Sequence, residues 1–406
     1  MNDLVGAPTS FLTHPIGSNH VGMRQFNERI VLQAIRLHGA LPKAEVARLT
    51  RLSTQTASVI INGLLADGLV IRQDRVRGRI GQPSIPIALN PDGAFTLGIK
   101  VGRRSLDVLA MDFVGQVRFR EMLSYEYPDP DVIFPAIERK LALVDTQLGE
   151  HASRLVGLGV AAPLWLGGWR DFLGAPLSVM DAWNEIDIHR RIQAMTALPV
   201  EFAKDTTAAC VAELVAGEGR RLRNFLYIFI GTFIGGGLVI DSHLHPGSRG
   251  NAGAVGSLPL RSEDGKKPPQ LLHKASGFVL EQLFKQHGHP GAAAHDERAL
   301  ASPMAAHTQA WLKDACPALA LTITSATALL DLDAVVVDGS MHRSLIDQVI
   351  AQTTEVLDSY SWEGLTRPQL LAGSIGADAR AMGGALLPLY AHFAPNRELF
   401  LKTEAA

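Results

Sequence analysis

The chain has 406 residues, a formal net charge of −2 and 47% hydrophobic content. It is too long for one small domain, long enough for two or three, and apolar enough for a large core. Two cysteines, Cys210 and Cys316, exclude a disulfide framework and fit a reducing compartment, the cytoplasm.

Residues 1–20 lack a basic start followed by an apolar run, so they read as a flexible tail rather than a signal peptide. The first predicted helix runs from about Asn27 to His38, with Ile30, Val31, Ala34, Ile35 and Leu37 facing inward and Gly39 as its stop. Leu41, Val46, Ala47 and Leu49 then give one apolar face at helical spacing, and a short turn follows at Thr50–Leu52. Ser53 stands where an N-cap is needed, because its hydroxyl can accept a free amide of the first turn. The next helix is apolar at Ala57, Ile60, Ile61, Leu64 and Leu65 and ends at Asp67–Gly68. Its first turns carry Thr54, Gln55, Thr56 and Ser58, small polar residues that suit insertion into a DNA major groove. Leu69–Gln73 and Ile85–Leu89 read as strands joined by a basic turn, Asp74–Ser84, that holds Arg75, Arg77 and Arg79. This is a winged helix-turn-helix, and its wing arginines are placed to reach phosphates or a narrow minor groove. Charge agrees: residues 21–90 sum to +6 and the remainder to −8. A basic head on an acidic body is what phosphate binding by one end requires. The expected DNA contacts are Arg51, Ser53, Thr54, Gln55, Thr56, Ser58, Arg77 and Arg79, with Gln55 suited to a bidentate contact with adenine. The turn Asn90–Gly93 is the predicted boundary, giving a tail (1–20), a DNA-binding head (21–90) and a body (91–406).

From Phe95 the pattern changes to α/β. Residues 95–123 read as three successive strands, Ile133–Leu148 as a helix and Leu155–Ala161 as a buried strand. Asp187–Met195 is helical, Val200–Ala203 is a strand ending at Lys204–Asp205, and Thr206–Gly217 is a helix of small residues. Asn224–Ile240 is almost wholly apolar but short for a membrane span and broken by Gly231 and Gly235–Gly237. It reads as two buried strands joined by a glycine-rich turn. Ala334–Val337 is another buried strand, and Ala379–Phe393 closes the chain as a helix. Strands that run into glycine-rich turns before helices place a ligand cleft at the strand ends. The similar strand starts near Leu97 and Leu226 suggest a duplicated, two-lobed body.

The order of these pieces carries a resemblance. A winged helix precedes LGIKVG, GLGVAAPL, LPVEFAKDTTAACVAE, IGTFIGGGLV and GNAGAVG. In that order they resemble the ROK family of repressors, open reading frames and kinases, over residues 25–395. The resemblance implies a two-lobed actin/hexokinase-like (ribonuclease H-like) body. It also shows departures. In kinase members the first phosphate loop holds an acid and a Gly-Gly-Thr turn; here Lys100 takes the acid's place and the turn reads Gly102–Arg103–Arg104–Ser105. Two arginines do not let a backbone wrap a triphosphate, and no carboxylate is present there to hold Mg²⁺. Lys100 as a replacement phosphate ligand is the lesser reading. Asp205 fills the family's general-base position, with Lys204 in place of an asparagine. Asp205 would accept a sugar hydroxyl proton, hydrogen-bond that hydroxyl, or cap the following helix, and Lys204 would pair with it.

Phe233 replaces a usual glycine, Ala254 the family's sugar-contacting Glu, and Ser257 its His. The adenosine-side turn is Asp338–Gly339–Ser340. Leu258–Ser276 contains no cysteine, and His273 alone makes no tetrahedral zinc site. His243, His245, His287 and His289 read as surface residues. No metal and no cofactor are expected. In the head, Val59 replaces a frequent Arg, and the wing has Gln82 where Arg is usual. The expected sugar site is Lys204, Asp205, Thr232, Asn251 and Trp183, the last equally readable as a core residue. The expectation is a cytoplasmic, non-enzymatic regulator, a repressor of carbohydrate genes. Its partners would be a double-stranded DNA operator, a sugar or sugar derivative and a second copy or more of itself, with no membrane. The alternative is a ROK sugar kinase using Asp205 as base.

Overall fold

In a computed structural model of the chain, the described residues are 20–74, 85–168, 170–262 and 267–395. The head begins with α1 (His20–His38), longer at its start than predicted, where Arg24 pairs with Glu28 one turn on at 2.9 Å. Next come α2 (Lys43–Thr50) and α3 (Thr54–Ala66). Between them Arg51 takes the left-handed conformation, φ 55°, which ends α2 and turns the chain sharply. Ser53 caps α3 as expected, its Oγ accepting from Thr56 N at 3.1 Å. Ala57, Ile60, Ile61 and Leu64 bury the inner face of α3. Strands β1 (Val70–Arg72) and β2 (Ile87–Leu89) pair antiparallel. The connecting residues 75–84, with Arg77 and Arg79, lie outside the described residues.

The body holds two five-stranded sheets of the same design. Lobe one comprises β3 (Phe95–Val101), β4 (Ser105–Asp112), β5 (Val117–Ser124), β6 (Leu155–Ala162) and β7 (Val200–Lys204), in the order β5-β4-β3-β6-β7. The first three strands form an antiparallel meander, and β6 and β7 add in parallel. Its helices are α4 (Pro130–Leu148), α5 (Arg170–Leu173), α6 (Leu177–Ala182) and α7 (Ile188–Gln193), followed by α8 (Asp205–Ala216). Lobe two repeats the plan with β8 (Phe225–Ile230), β9 (Ile234–Ile240), β10 (His243–Leu244), β11 (Ala334–Gly339) and β12 (Gln369–Ala372), in the order β10-β9-β8-β11-β12. Here too the first three strands are antiparallel and the last two parallel. Its helices are α9 (Leu272–Ala275), α10 (Gly277–Gln286), α11 (Ala305–Leu330), α12 (Arg343–Asp358) and α13 (Ala379–Phe393). The apolar run 224–240 is therefore two strands, but its turn is Gly231–Phe233; Gly235–Gly237 lie within β9. A side chain at Gly237 would strike Cys210 of α8, so this strand must be bare for α8 to pack on it.

The lobes exchange helices. α8 leaves lobe one and packs on β9, while α13 leaves lobe two and packs on β3 and β6. α8 and α13 pack on each other, and at Gly383 any Cβ would overlap the Ala208 carbonyl. One buried apolar cluster runs from the head (Leu32, Ile35, Ile61) through Phe113 to Leu386 and Tyr390 of α13. Asn90–Gly93 is consequently a packed joint rather than a free linker. Asn90 Nδ2 donates to Gly68 O at 2.7 Å, and Arg154 Nη1 donates to Asp67 O at 2.8 Å and to Gly93 O at 3.3 Å. On the other side of the head, Arg36 Nη1 donates to Phe113 O at 2.7 Å. Its guanidinium lies 4.9 Å from the Phe113 ring, which in turn meets Phe393 edge-on at 4.7 Å.

Candidate functional site

Between the lobes lies a cavity of about 140 Å³, room for one ring-sized ligand. Lobe one supplies Arg103 from the β3–β4 turn, the loop residues Pro163–Trp165, and Lys204, Asp205 and Thr206 where β7 runs into α8. Lobe two supplies Thr232, Phe233, Asn251, Ala254, Ser257 and Leu272, and α13 contributes Arg380 from its first turn. Four of the five predicted sugar-site residues, Lys204, Asp205, Thr232 and Asn251, thus meet at one place.

Trp183 does not join them. It is 7% exposed, stands 5.8 Å from Phe134 and donates its indole N–H to Pro128 O at 2.7 Å, so it is a core residue. The tryptophan at the cavity is Trp165, 65% exposed. Nothing in the spacing around these two tryptophans distinguishes them. Arg380 was also missed: it belongs to no glycine-rich turn and lies 175 residues after Asp205.

Asp205 is the first residue of α8, one position inside the expected cap, and its Oδ1 accepts from Thr206 N at 2.9 Å. Its Oδ2 faces Arg380 Nη1 at 3.8 Å. Lys204 does not hydrogen-bond to Asp205. Its Nζ donates to Ala252 O at 3.0 Å and approaches Asn251 Oδ1 at 3.4 Å. Burial lowers the Lys204 pKa to about 8, with the Asp205 charge opposing.

Lys100 is not available as a phosphate ligand. It is buried, donates to Asp107 Oδ2 at 2.6 Å, and burial together with the Arg380 charge brings its pKa down to about 8. Arg103 turns inward across the position of the first phosphate loop. Its guanidinium donates to the carbonyls of Trp165, Leu166 and Gly168, each at 3.1 Å, and lies 4.3 Å from the Phe233 ring. Phe233 packs in turn on Phe172. The two departures from the kinase pattern are therefore in contact: an arginine and a phenylalanine fill space that glycines would leave open. Arg104 reaches across to Glu281 of α10 at 3.1 Å, and His295 Nε2 meets the same carboxylate at 2.7 Å, linking the lobes. Among the described residues no group of three or more His, Cys, Asp or Glu side chains is placed to hold a metal ion.

In the head, Arg51, Ser53, Thr54, Gln55 and Thr56 are all exposed, and Ser58 is half-buried. The Ser53 and Thr56 hydroxyls, 2.8 Å apart, are committed to the cap. Gln55 and Val59 then stand one turn apart on the outer face of α3, Val59 being 65% exposed.

The ROK family description matches residues 96–390, which is most of the body and of the chain. The chain belongs to the ROK family. Residues 25–80 of this ROK protein match the MarR family, in agreement with the winged helix-turn-helix of the head. The chain is 23% identical over 238 residues to a xylose repressor of Bacillus subtilis (strain 168), an alignment covering 59% of this chain and 61% of that protein. It spans, then, less than two thirds of the length of the curated repressors it matches. A crystal structure described as a ROK family transcriptional regulator, homologue of the E. coli MLC protein, superposes with TM-score 0.69. That match is at 19% identity over 93% of this chain and 98% of the other. A ROK family glucokinase from Streptomyces griseus, in complex with glucose and AMPPNP, superposes with TM-score 0.55 at 19% identity, covering 72% of this chain and 99% of that one. At these identities the two structures establish the fold: a winged-helix head on an actin/hexokinase-like ROK body. No helix among the described residues is long and apolar enough to cross a membrane.

Proposed function

We propose that the chain is a cytoplasmic transcriptional repressor of carbohydrate genes, binding operator DNA through its head and a sugar derivative between its lobes without phosphorylating it. The observation that carries this reading is the Arg103–Phe233 contact, which occupies the phosphate-loop region while Asp205 and Asn251 still line a ring-sized cavity. A site that has lost room for a triphosphate but kept its polar cleft is a binding site rather than a phosphoryl-transfer site. The xylose-repressor and MLC-homologue matches support the same reading.

In this scheme α3 enters the major groove, with Gln55 contacting adenine and Val59 able to touch a thymine methyl. Arg51 and the wing arginines Arg77 and Arg79 contact the backbone. The repressor acts as a homodimer or a dimer of dimers, since two heads must match half-sites about one helical turn apart. Closure of the lobes on ligand alters the spacing of the heads and releases the operator.

The test is fluorescence anisotropy on DNA from upstream of the chain's own gene, at fixed salt, with and without a panel of sugars and sugar derivatives. Sequence-specific binding released by one compound is the expected result. Absence of specific binding to any fragment of a genomic library would overturn it. The second reading, a sugar kinase, rests on Asp205 lining the cavity. Steady ADP release with one sugar, abolished in Asp205→Asn, would establish it instead.

A further inference from the structure

We propose that the ligand of the cleft is an anionic sugar derivative, one that carries a carboxylate or a phosphate beside its hydroxyls. The inference rests on the reading that the cleft binds a sugar, and narrows it to a chemical class.

The charges lining the cavity are unbalanced. Arg103, Lys204 and Arg380 are cations, and Asp205 is the one acid among the cavity's described residues. The imbalance arises where the chain departs from its family: Lys204 stands in place of an asparagine, and Ala254 in place of the acid that holds a neutral sugar's hydroxyls. The cation most in need of a partner is Arg380. Its side chain is 14% exposed, its Nε has no hydrogen-bond partner among the described residues, and Asp205 Oδ2 at 3.8 Å is beyond hydrogen-bond reach. Its guanidinium lies over the Phe229 ring at 4.7 Å, an apolar backing that fixes its plane without satisfying its donors. A buried N–H without a partner is costly, and the planar fork of N–H groups to which it belongs is matched by a carboxylate or a phosphate.

Two other features point the same way. Lys204 donates to Ala252 O and Asn251 Oδ1, leaving an ammonium with a third donor at the cavity wall. The N-termini of α8 and α13, helices of 12 and 15 residues, both open on the cleft at Asp205 and Arg380. Their partial positive charges add to the side chains. Thr232, Asn251 and Ser257 line the cavity beside Asp205 and are available to a sugar's hydroxyls. Asp205 and the carbonyls remain to orient the ring, while the cations take the acid group.

The experiment is isothermal titration of the full chain with matched triplets: an aldose, its uronic or aldonic acid, and its terminal phosphate, for several hexoses and pentoses. Inorganic phosphate and ATP are run as further arms. The acid or the phosphate of one sugar is expected to bind, with the parent aldose weaker by about ten- to a hundredfold. Which arm wins identifies the source of the charge. Arg380→Met should remove that preference, so that the acid and the phosphate bind the variant no more tightly than the parent aldose does. Lys204→Gln serves the same purpose should the first variant fail to fold, and Ala254→Glu should shift preference toward the neutral sugar. An aldose that binds as tightly as its acid and phosphate, a preference that survives both Arg380→Met and Lys204→Gln, or no binding in any arm would each overturn the proposal. Binding of ATP or phosphate alone would overturn it as well. Operator binding is measured separately, so failure of the regulator reading leaves the charge preference readable, and the reverse.

Discussion

Replacing Arg36 by alanine should uncouple the head from the ligand without unfolding either. Arg36 leaves α1 of the head, donates to the Phe113 carbonyl at 2.7 Å and lies on the Phe113 ring, which contacts Phe393 at the end of α13. α13 begins at the cleft with Arg380 and spans about 22 Å at the ordinary helical rise. It is a rigid path from ligand to head. The charge-assisted hydrogen bond is worth about 1.5–3 kcal/mol and the cation–π contact about 0.5–2 kcal/mol. Against these stands relief of a strained donor. Nη2 is buried with no partner among the described residues, and burial lowers the Arg36 pKa, with Tyr390 and Asp112 opposing. An unsatisfied donor of this kind costs about 1–3 kcal/mol, so the net loss is about 1–2 kcal/mol. Spread over the ligand–operator coupling, that is about a 5- to 30-fold drop in the ratio of operator affinities without and with ligand. Anisotropy titrations at saturating ligand give the ratio directly. Arg24→Ala, on the same helix but in an exposed pair with Glu28, is the control and should leave it unchanged. An Arg36→Ala protein that keeps its full ligand response would refute the path through α13.

Four further outcomes follow from the geometry. Ser53→Ala removes the cap of α3 and should lower head stability by about 1 kcal/mol, read as an earlier thermal transition and weaker operator binding. Trp183→Phe leaves the Pro128 carbonyl unsatisfied and should cost about 1–3 kcal/mol in a denaturant melt while ligand affinity is unchanged. Trp165→Ala should do the opposite, weakening ligand and sparing stability. Lys204 has a folded pKa of about 8 against an ordinary value of 10.5, so between these values unfolding takes up a proton. Its contribution to stability therefore rises with pH through that window, by up to about 1.4 kcal/mol per pH unit. Relative to wild type, Lys204→Met should be most stabilised near neutrality and lose that advantage as pH passes through the window. A pH-independent difference in melting temperature would show that Lys204 does not titrate there.

Local signals carried much of this architecture. Ser53, the apolar periodicity of α3 and the alternation of strands and helices are written in short stretches of sequence, and the structure follows them closely. The repeat of strand starts near Leu97 and Leu226 pointed correctly to two lobes of one design. What the sequence concealed depends on distance. Arg380 reaches Asp205 only because α13 crosses back onto lobe one, and no local pattern encodes that return. Trp165 and Trp183 differ only in what folds over them. Arg103 and Phe233 were legible as departures from a kinase, but not as partners, because their contact bridges 130 residues. The Asn90–Gly93 turn has the composition of a linker, yet Asn90 and Arg154 bolt it to the head.

The return of α13 also sets an order of assembly. The head and the sheet of lobe one are complete in the growing chain by Lys204, but the helix that covers β3 and β6 is the last described element, residues Ala379–Phe393. At ordinary rates of synthesis, roughly 5–20 residues per second, lobe one waits about ten to forty seconds for its cover. Throughout that interval a nascent chain presents an unburied apolar sheet face and a head without its Phe393 contact. Arrest or truncation before Ala379 would therefore yield a chaperone client rather than a regulator, and the head takes up its docked position only once α13 has been made.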